Sequence, residues 1–186
     1  MTIAGELVDD GQPEDALVYL QWAKQEAPRA PSIREALGIA LYLAEDWASA
    51  LSELQTYRRF TGRTDQNHLV ADCLRALDRA TARVGETVKE MDPERDGIDR
   101  VVEGTIVWAS ALADEGDPAA GRAVLRRILP HLEDDEPAEH HLRVWYVAGD
   151  LAARDGDGAD ARRWFRRIAA VDDELFDVAD RLSQLG

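Results

Sequence analysis

Lysine occurs only at positions 24 and 89 of this chain, and cysteine only at position 73. One cysteine excludes an intramolecular disulfide, which agrees with a reducing compartment. No apolar run approaches the roughly 18 residues that a membrane-spanning helix requires. No basic stretch leading into an apolar segment follows Met1, so no secretory signal is visible. Glycine-rich phosphate loops are absent, and no stretch alternates with period two for long enough to make a sheet. These absences together give the expectation of a cytoplasmic protein without a membrane segment. What remains is a chain of 186 residues, 45% hydrophobic and 32% charged, with a formal net charge of −15. That composition belongs to a folded protein large enough to bury a core. The charge repels duplex nucleic acid and anionic membranes, and it steers basic segments inward, although acidity also serves solubility.

The chain repeats itself. Gly11-Gln12-Pro13-Glu14-Asp15-Ala16 aligns with Glu45-Asp46-Trp47-Ala48-Ser49-Ala50, so that Ala16 and Ala50, Leu20 and Leu54, and Pro28 and Gly62 each stand 34 residues apart. Later copies are legible through Val70, Ala71 and Leu74; through Trp108, Ala109, Leu112, Gly116, Gly121 and Leu125; and through Trp145, Gly149, Gly156, Ala161 and Phe165. Between the last two the spacing grows, Gly116 and Gly156 being 40 apart. The third copy lacks a small residue at its second-helix position, where Arg83 stands. Small and bulky residues recurring in this way let antiparallel helices approach closely, and each helix pair leaves an apolar face for the next to cover.

Thirty-four is the tetratricopeptide period. With Leu37-Gly38 and Leu41 in one helix and Trp47, Ala50 and Leu54 in the next, the chain resembles the tetratricopeptide repeat superfamily, and in particular repeat proteins of GC-rich bacteria. The preference for arginine over lysine has the look of the same coding bias. The resemblance implies an all-α, right-handed solenoid of about five helix pairs forming one array over residues 1–186. The approximate units are 1–30, 31–63, 64–94, 95–135 and 136–171, with a capping helix over 173–184.

Caps and breakers place helices over 2–10, 13–27, 32–44, 47–60, 65–77, 80–91, 96–115, 118–132, 137–154, 158–170 and 173–184. Asp46, Asp117 and Asp157 read as N-caps, Pro13 and Pro118 as first-turn prolines, and Gly11, Gly116 and Gly156 as C-terminal stops. The final helix carries Leu175, Val178, Leu182 and Leu185 on one side, as a cap for the stack requires. The short amino-terminal helix has no cap of its own, so that end is expected to be frayed, truncated from a longer chain, or covered by a second copy.

Residues with catalytic or metal-binding potential read more simply as structure. His131, His140 and His141 lie near Glu133, Asp134, Asp135, Glu136 and Glu139, but no two histidines stand one helical turn apart, and the segment reads as a solvated acidic linker. Asp155-Gly156-Asp157-Gly158-Ala159-Asp160 has Arg166 where a calcium loop needs its twelfth-position Glu. Cys73 reads as a packing residue. Arg162, Arg163, Arg166 and Arg167, with Arg126 and Arg127, read as a charge-balanced outer face rather than an anion site. The five tryptophans read as core, with Trp22 and Trp164 the two best placed for partial exposure. No catalytic residue, metal or cofactor is implied.

In proteins this chain resembles, ligands lie in a groove lined by first helices. Carried over residue by residue, that implies Glu35, Ile39 and Tyr42; His68, Asp72 and Arg75; Ile106, Ser110 and Asp114; and Tyr146, Asp150 and Arg154. Some relatives hold a chaperone's terminal carboxylate there with Lys, Asn and Arg. Here those positions carry Glu35, Ala36 and Asp72, so a partner of basic character is expected instead. The reading is a non-catalytic scaffold that binds a protein or peptide segment and neither nucleic acid nor membrane. Its alternatives are a homo-oligomeric structural module, as a homodimer, and a small-ligand sensor.

Overall fold

A computed structural model describes Leu7, residues 12–132 and residues 136–186. Among these residues the regular structure is entirely helical: α1 Pro13–Glu26, α2 Pro31–Leu43, α3 Trp47–Thr61, α4 Asn67–Ala76, α5 Thr81–Lys89, the single turn α6 Pro93–Asp96, α7 Ile98–Asp114, α8 Pro118–Leu125, a 3-10 turn Leu129–Leu132, α9 Glu139–Arg154, α10 Gly158–Ala169 and α11 Val178–Leu185. The expected helix over 2–10 lies outside the described residues except for Leu7, and so does the question of what covers it. The chain divides into two compact units, Met1–Arg100 and Val101–Gly186, with the division in the first turn of α7.

One turn geometry recurs wherever a first helix hands over to a second. Asp46, Arg79, Asp117 and Asp157 each donate a backbone N–H to the carbonyl five residues back, on Leu41, Leu74, Leu112 and Ala152. This closes the helix end in the Schellman manner and forces the preceding residue into the left-handed region. Gly116 and Gly156 meet that demand at φ 93° and 81°, whereas Glu45 and Asp78 meet it at 60° and 51° with a side chain attached. Immediately afterwards Asp46, Asp117 and Asp157 accept from the N–H of Ser49, Ala120 and Asp160 at 3.2, 2.9 and 3.1 Å, which is the expected N-cap role.

In the first unit α1 packs on α2, α2 on α3, α3 on α4 and α4 on α5. The core is built from Ala16, Leu20, Leu37, Ala40, Leu41, Ala50, Leu54, Val70, Ala71, Cys73, Leu74, Val84 and Val88, all buried. Each large aliphatic member contributes about 1.5–3 kcal/mol. Gly38 lets α3 approach: a Cβ there would meet Leu54 at 2.7 Å. On α5 the buried small residue is Gly85, while Arg83 is exposed, so the third copy has its small residue two positions beyond Arg83. Cys73 is core, as expected, and burial pushes its thiol up to about 12. At the far end of the unit a buried polar cluster joins α3 to α6. Tyr57 donates to Asp65 at 3.1 Å, and Asp96 accepts from Thr64 at 2.9 Å and from the Asp92 N–H at 2.9 Å.

In the second unit the small residues again face large or backbone groups. A Cβ on Gly121 would lie 2.6 Å from the Ala109 carbonyl oxygen, and one on Gly149 would lie 2.9 Å from the Phe165 ring. The expected helix over 118–132 stops at Leu125 and resumes as a 3-10 turn. Pro130 supplies no N–H to a continuing helix and disfavours helical geometry at Leu129. Of the five tryptophans only Trp145 is fully buried. Trp47, Trp108 and Trp164 are half-buried, and Trp22 is 64% exposed, so the tryptophans are not core as a group. The final helix begins at Val178 rather than near 173, because Phe176 takes a left-handed φ of 52°. That kink lays the Phe176 ring on Tyr146, with centroids 4.9 Å apart, and buries Val178. His141 is buried rather than part of a solvated linker. Its Nδ1 accepts from the Ala138 N–H at 3.0 Å and so satisfies a donor at the start of α9. Glu133, Asp134 and Asp135 lie outside the described residues.

Candidate functional site

The six residues expected on the first unit's binding face come from α2 and α4, and hydrogen bonds tie the two helices together there. Tyr42 Oη donates to Asp72 Oδ2 at 2.7 Å, and Arg75 Nε donates to Asp72 Oδ1 at 3.0 Å. Gln66 Nε2, just before α4, donates to Glu35 Oε1 at 2.8 Å. Burial and the Asp72 carboxylate both push the Tyr42 phenol well above its usual range, so it remains a donor at any working pH. The Tyr42 ring meets the Trp47 edge at 5.2 Å, which holds the hydroxyl over α4. Glu35, Ile39, Tyr42 and Asp72 are half-buried and Arg75 is exposed. They present two carboxylates with an aliphatic and an aromatic side chain from the same helices. His68 sits deeper. Burial, then the nearby Arg100, lowers its imidazole to about 4 despite Asp99 and Asp65, so it is neutral near pH 7.

On the second unit, Ile106 and Ser110 of α7 are half-buried and Asp114 is exposed. Three expected residues of α9 are taken up internally. Tyr146 Oη donates to Asp177 at 2.5 Å and accepts from Arg181 at 3.3 Å. Asp150 pairs with Arg181 at 3.1 Å. Arg154 donates to the Ala113 carbonyl at 2.7 Å. The bond from Tyr146, then the Arg181 charge, holds the Asp177 carboxyl below its ordinary value. The C-terminal segment therefore occupies two of the α9 positions that the resemblance assigns to a ligand, Tyr146 and Asp150, while Arg154 is held by the end of α7. Asp177, Arg181 and Phe176 escaped the sequence reading because their roles depend on a non-helical bend at 173–177, a stretch that reads as amphipathic helix.

Two further ionic clusters went unread. Glu53 of α3 is buried between Lys24 of α1 at 2.5 Å and Arg34 of α2 at 2.6 Å. Burial alone would raise its carboxyl, but the two cations outweigh this and hold it low. Arg122 of α8 binds Asp155, Asp157 and Asp160 at 2.5, 2.9 and 2.9 Å, tying α8 to the start of α10. The one available signal was the residue type: a solitary acid or base on an apolar helix face. Among the described residues no group of three or more His, Cys, Asp or Glu side chains is arranged to hold a metal ion, and no helix is long and apolar enough to cross a membrane.

Helix pairs closed by the same turn, with glycines at the points of closest approach, make an all-α helical repeat. Solved structures of tetratricopeptide repeat proteins share this fold, YrrB, TTC0263 and MamA among them. The chain is similar to YrrB, described as a tetratricopeptide repeat protein with an unusual peptide-binding site, at 16% identity and a TM-score of 0.64, covering 95% of this chain and 87% of that one. It is equally similar to TTC0263, a thermophilic tetratricopeptide repeat protein of Thermus thermophilus, at 16% identity and a TM-score of 0.64, covering 98% and 95%. The third is the 41-end portion of MamA from Desulfovibrio magneticus RS-1, at 16% identity and a TM-score of 0.64, covering 93% of each chain. No family model matches the sequence, and no curated protein matches it. At this identity the likeness is one of fold.

Proposed function

We propose that this chain is a non-catalytic cytoplasmic scaffold that holds a basic peptide or protein segment on the α2–α4 face of its first unit. The carrying observation is the pairing of Glu35 and Asp72 with Ile39 and Tyr42, prearranged by the Tyr42–Asp72–Arg75 and Gln66–Glu35 hydrogen bonds. Two carboxylates beside apolar anchors suit a segment with alternating basic and apolar side chains, and the net charge of −15 adds long-range steering. The high thiol pKa of Cys73 and the core position of that residue support the non-catalytic reading. YrrB is described as having a peptide-binding site, which favours looking for a peptide here too. The test is anisotropy titration of a labelled Lys/Leu peptide against the intact protein and the Glu35→Gln and Asp72→Asn variants. Binding should weaken about tenfold with loss of either carboxylate and weaken further as salt rises. Binding that ignores both changes would remove the proposal.

Self-association is a second reading, favoured by one feature: Val18, Tyr19 and Trp22 of α1 are 68, 52 and 64% exposed and lie within one turn of each other. Light scattering at micromolar protein should then give a dimer that Trp22→Asp converts to monomer. A monomer before substitution excludes it.

A further inference from the structure

We propose that the second unit carries a separate anion site, on the side of α8 and α10, which takes a small phosphate monoester with a compact apolar or aromatic body. A cavity of about 280 Å³ lies there, floored by Leu125, Leu129, Ala148 and the half-buried Trp164 and edged by arginines. The arginine run of α10 splits around it. Arg163 and Arg167 line the cavity with Arg122 and Arg126 of α8, whereas Arg162 turns away and donates to the carbonyl of Leu185 at the chain end.

The charge count selects the ligand. Arg122 is committed to Asp155, Asp157 and Asp160, and Arg163 reaches Asp160 at 2.6 Å. Arg126 and Arg167 have no carboxylate partner among the described residues, and Arg167 instead lies over the Trp145 ring at 3.9 Å. These two guanidinium groups at the edge of one cavity, unpaired with any carboxylate among the described residues, suit a dianion, and their planar forks suit phosphate oxygens. Apart from the arginines and the Asp160 carboxylate, which Arg122 and Arg163 hold, the lining is apolar, and Trp164 offers a ring for stacking. The volume lies just below the range for drug-sized ligands, so a body about the size of one aromatic side chain fits and a dinucleotide does not. In a chain of net charge −15, such an arginine-edged cavity draws an anion by short-range contact rather than by long-range steering.

Trp164 is a built-in reporter, since its Nε1–H donates to Asp160 at 3.3 Å inside the cavity. Phenyl phosphate is titrated into ¹⁵N-labelled full-length protein while the five tryptophan indole signals are followed, that of Trp164 being assigned by its loss in Trp164→Phe. The Trp164 signal should shift saturably, with a dissociation constant on the order of 1 mM or tighter, while those of Trp22 and Trp47 stay fixed. Arg126→Gln and Arg167→Gln should each weaken the effect about tenfold. Should Arg167→Gln disturb packing on Trp145, the exposed Arg126 still decides. No shift, an equal response to phenol, or undiminished binding in Arg126→Gln would overturn the site. Inorganic phosphate binding as tightly as phenyl phosphate would overturn its apolar component, and a phosphotyrosine peptide binding much more tightly would overturn the small-molecule assignment. None of these outcomes bears on the α2–α4 face, so the two proposals stand or fall separately.

Discussion

Replacing Gly121 by alanine adds one methyl group where a Cβ would have less room than at Gly149 or Gly158. The new Cβ would sit 2.6 Å from the Ala109 carbonyl oxygen and 3.0 Å from Leu151 Cδ1. A carbon and a carbonyl oxygen prefer roughly 3.3 Å or more, so α7 and α8 must separate by roughly 0.7 Å. The obstructing oxygen is backbone, held by its own helix, and cannot swing aside as a side chain could. Overpacking of this kind costs about 1–3 kcal/mol, against which alanine in a helix recovers about 0.5–1 kcal/mol relative to glycine. Gly158, in the first turn of α10, is the natural control. A Cβ there would find Leu185 at 3.7 Å, an ordinary contact, so Gly158→Ala should stabilise by about 0.4–1 kcal/mol. The two alanines thus carry opposite signs for a stated geometric reason. Urea unfolding followed by far-UV circular dichroism, compared at unchanged m-value, reads both, and thermal midpoints should move by about 2–4 °C per kcal/mol. If Gly121→Ala is as stabilising as Gly158→Ala, close approach is not what reserves that position for glycine, and the packing account of the repeat fails with it.

Glu45 holds a left-handed φ of 60° where the matching turns have glycine at Gly116 and Gly156, so Glu45→Gly should stabilise by about 0.5–1 kcal/mol in the same urea assay. Asp117→Ala removes the acceptor for the Ala120 N–H and should cost about 1 kcal/mol, while Asp117→Asn keeps most of it; calorimetry distinguishes the two. His68, lowered to about 4 from its ordinary 6.5, takes up a proton more readily when unfolded. It therefore costs stability as pH falls through that window, by less than about 1.4 kcal/mol per pH unit. His68→Gln should flatten stability between pH 6.5 and 4, and an unchanged slope refutes the burial argument. Below that window the depressed carboxyls of Glu53 and Asp96 act in the same direction: their stabilisation is present above the ordinary carboxylate range and is lost as acid protonates them.

Local chemistry made much of the fold legible. N-caps, prolines and left-handed stops act within four or five residues, so Asp46, Asp117, Asp157, Gly116 and Gly156 announced their turns from composition alone. The recurrence of Gly38, Gly121 and Gly149 among bulky residues such as Leu54 and Phe165 was equally readable, because close helix packing admits few residue types, whereas which neighbour each glycine meets was not. What only the tertiary structure decided is which helix faces end up covered, and by what. Tyr146 and Asp150 read as open ligand positions until the bend at Phe176 brought Asp177 and Arg181 onto them. His141 read as linker until its ring turned inward to take the Ala138 N–H. Arg126, Arg163 and Arg167 read as a charge-balanced outer face and are exposed as such, but only the placing of α8 beside α10 sets them round one cavity. Helical periodicity says which residues share a side of one helix. Only the packing of one helix against another determines whether that side meets water, a ligand or the chain's own end.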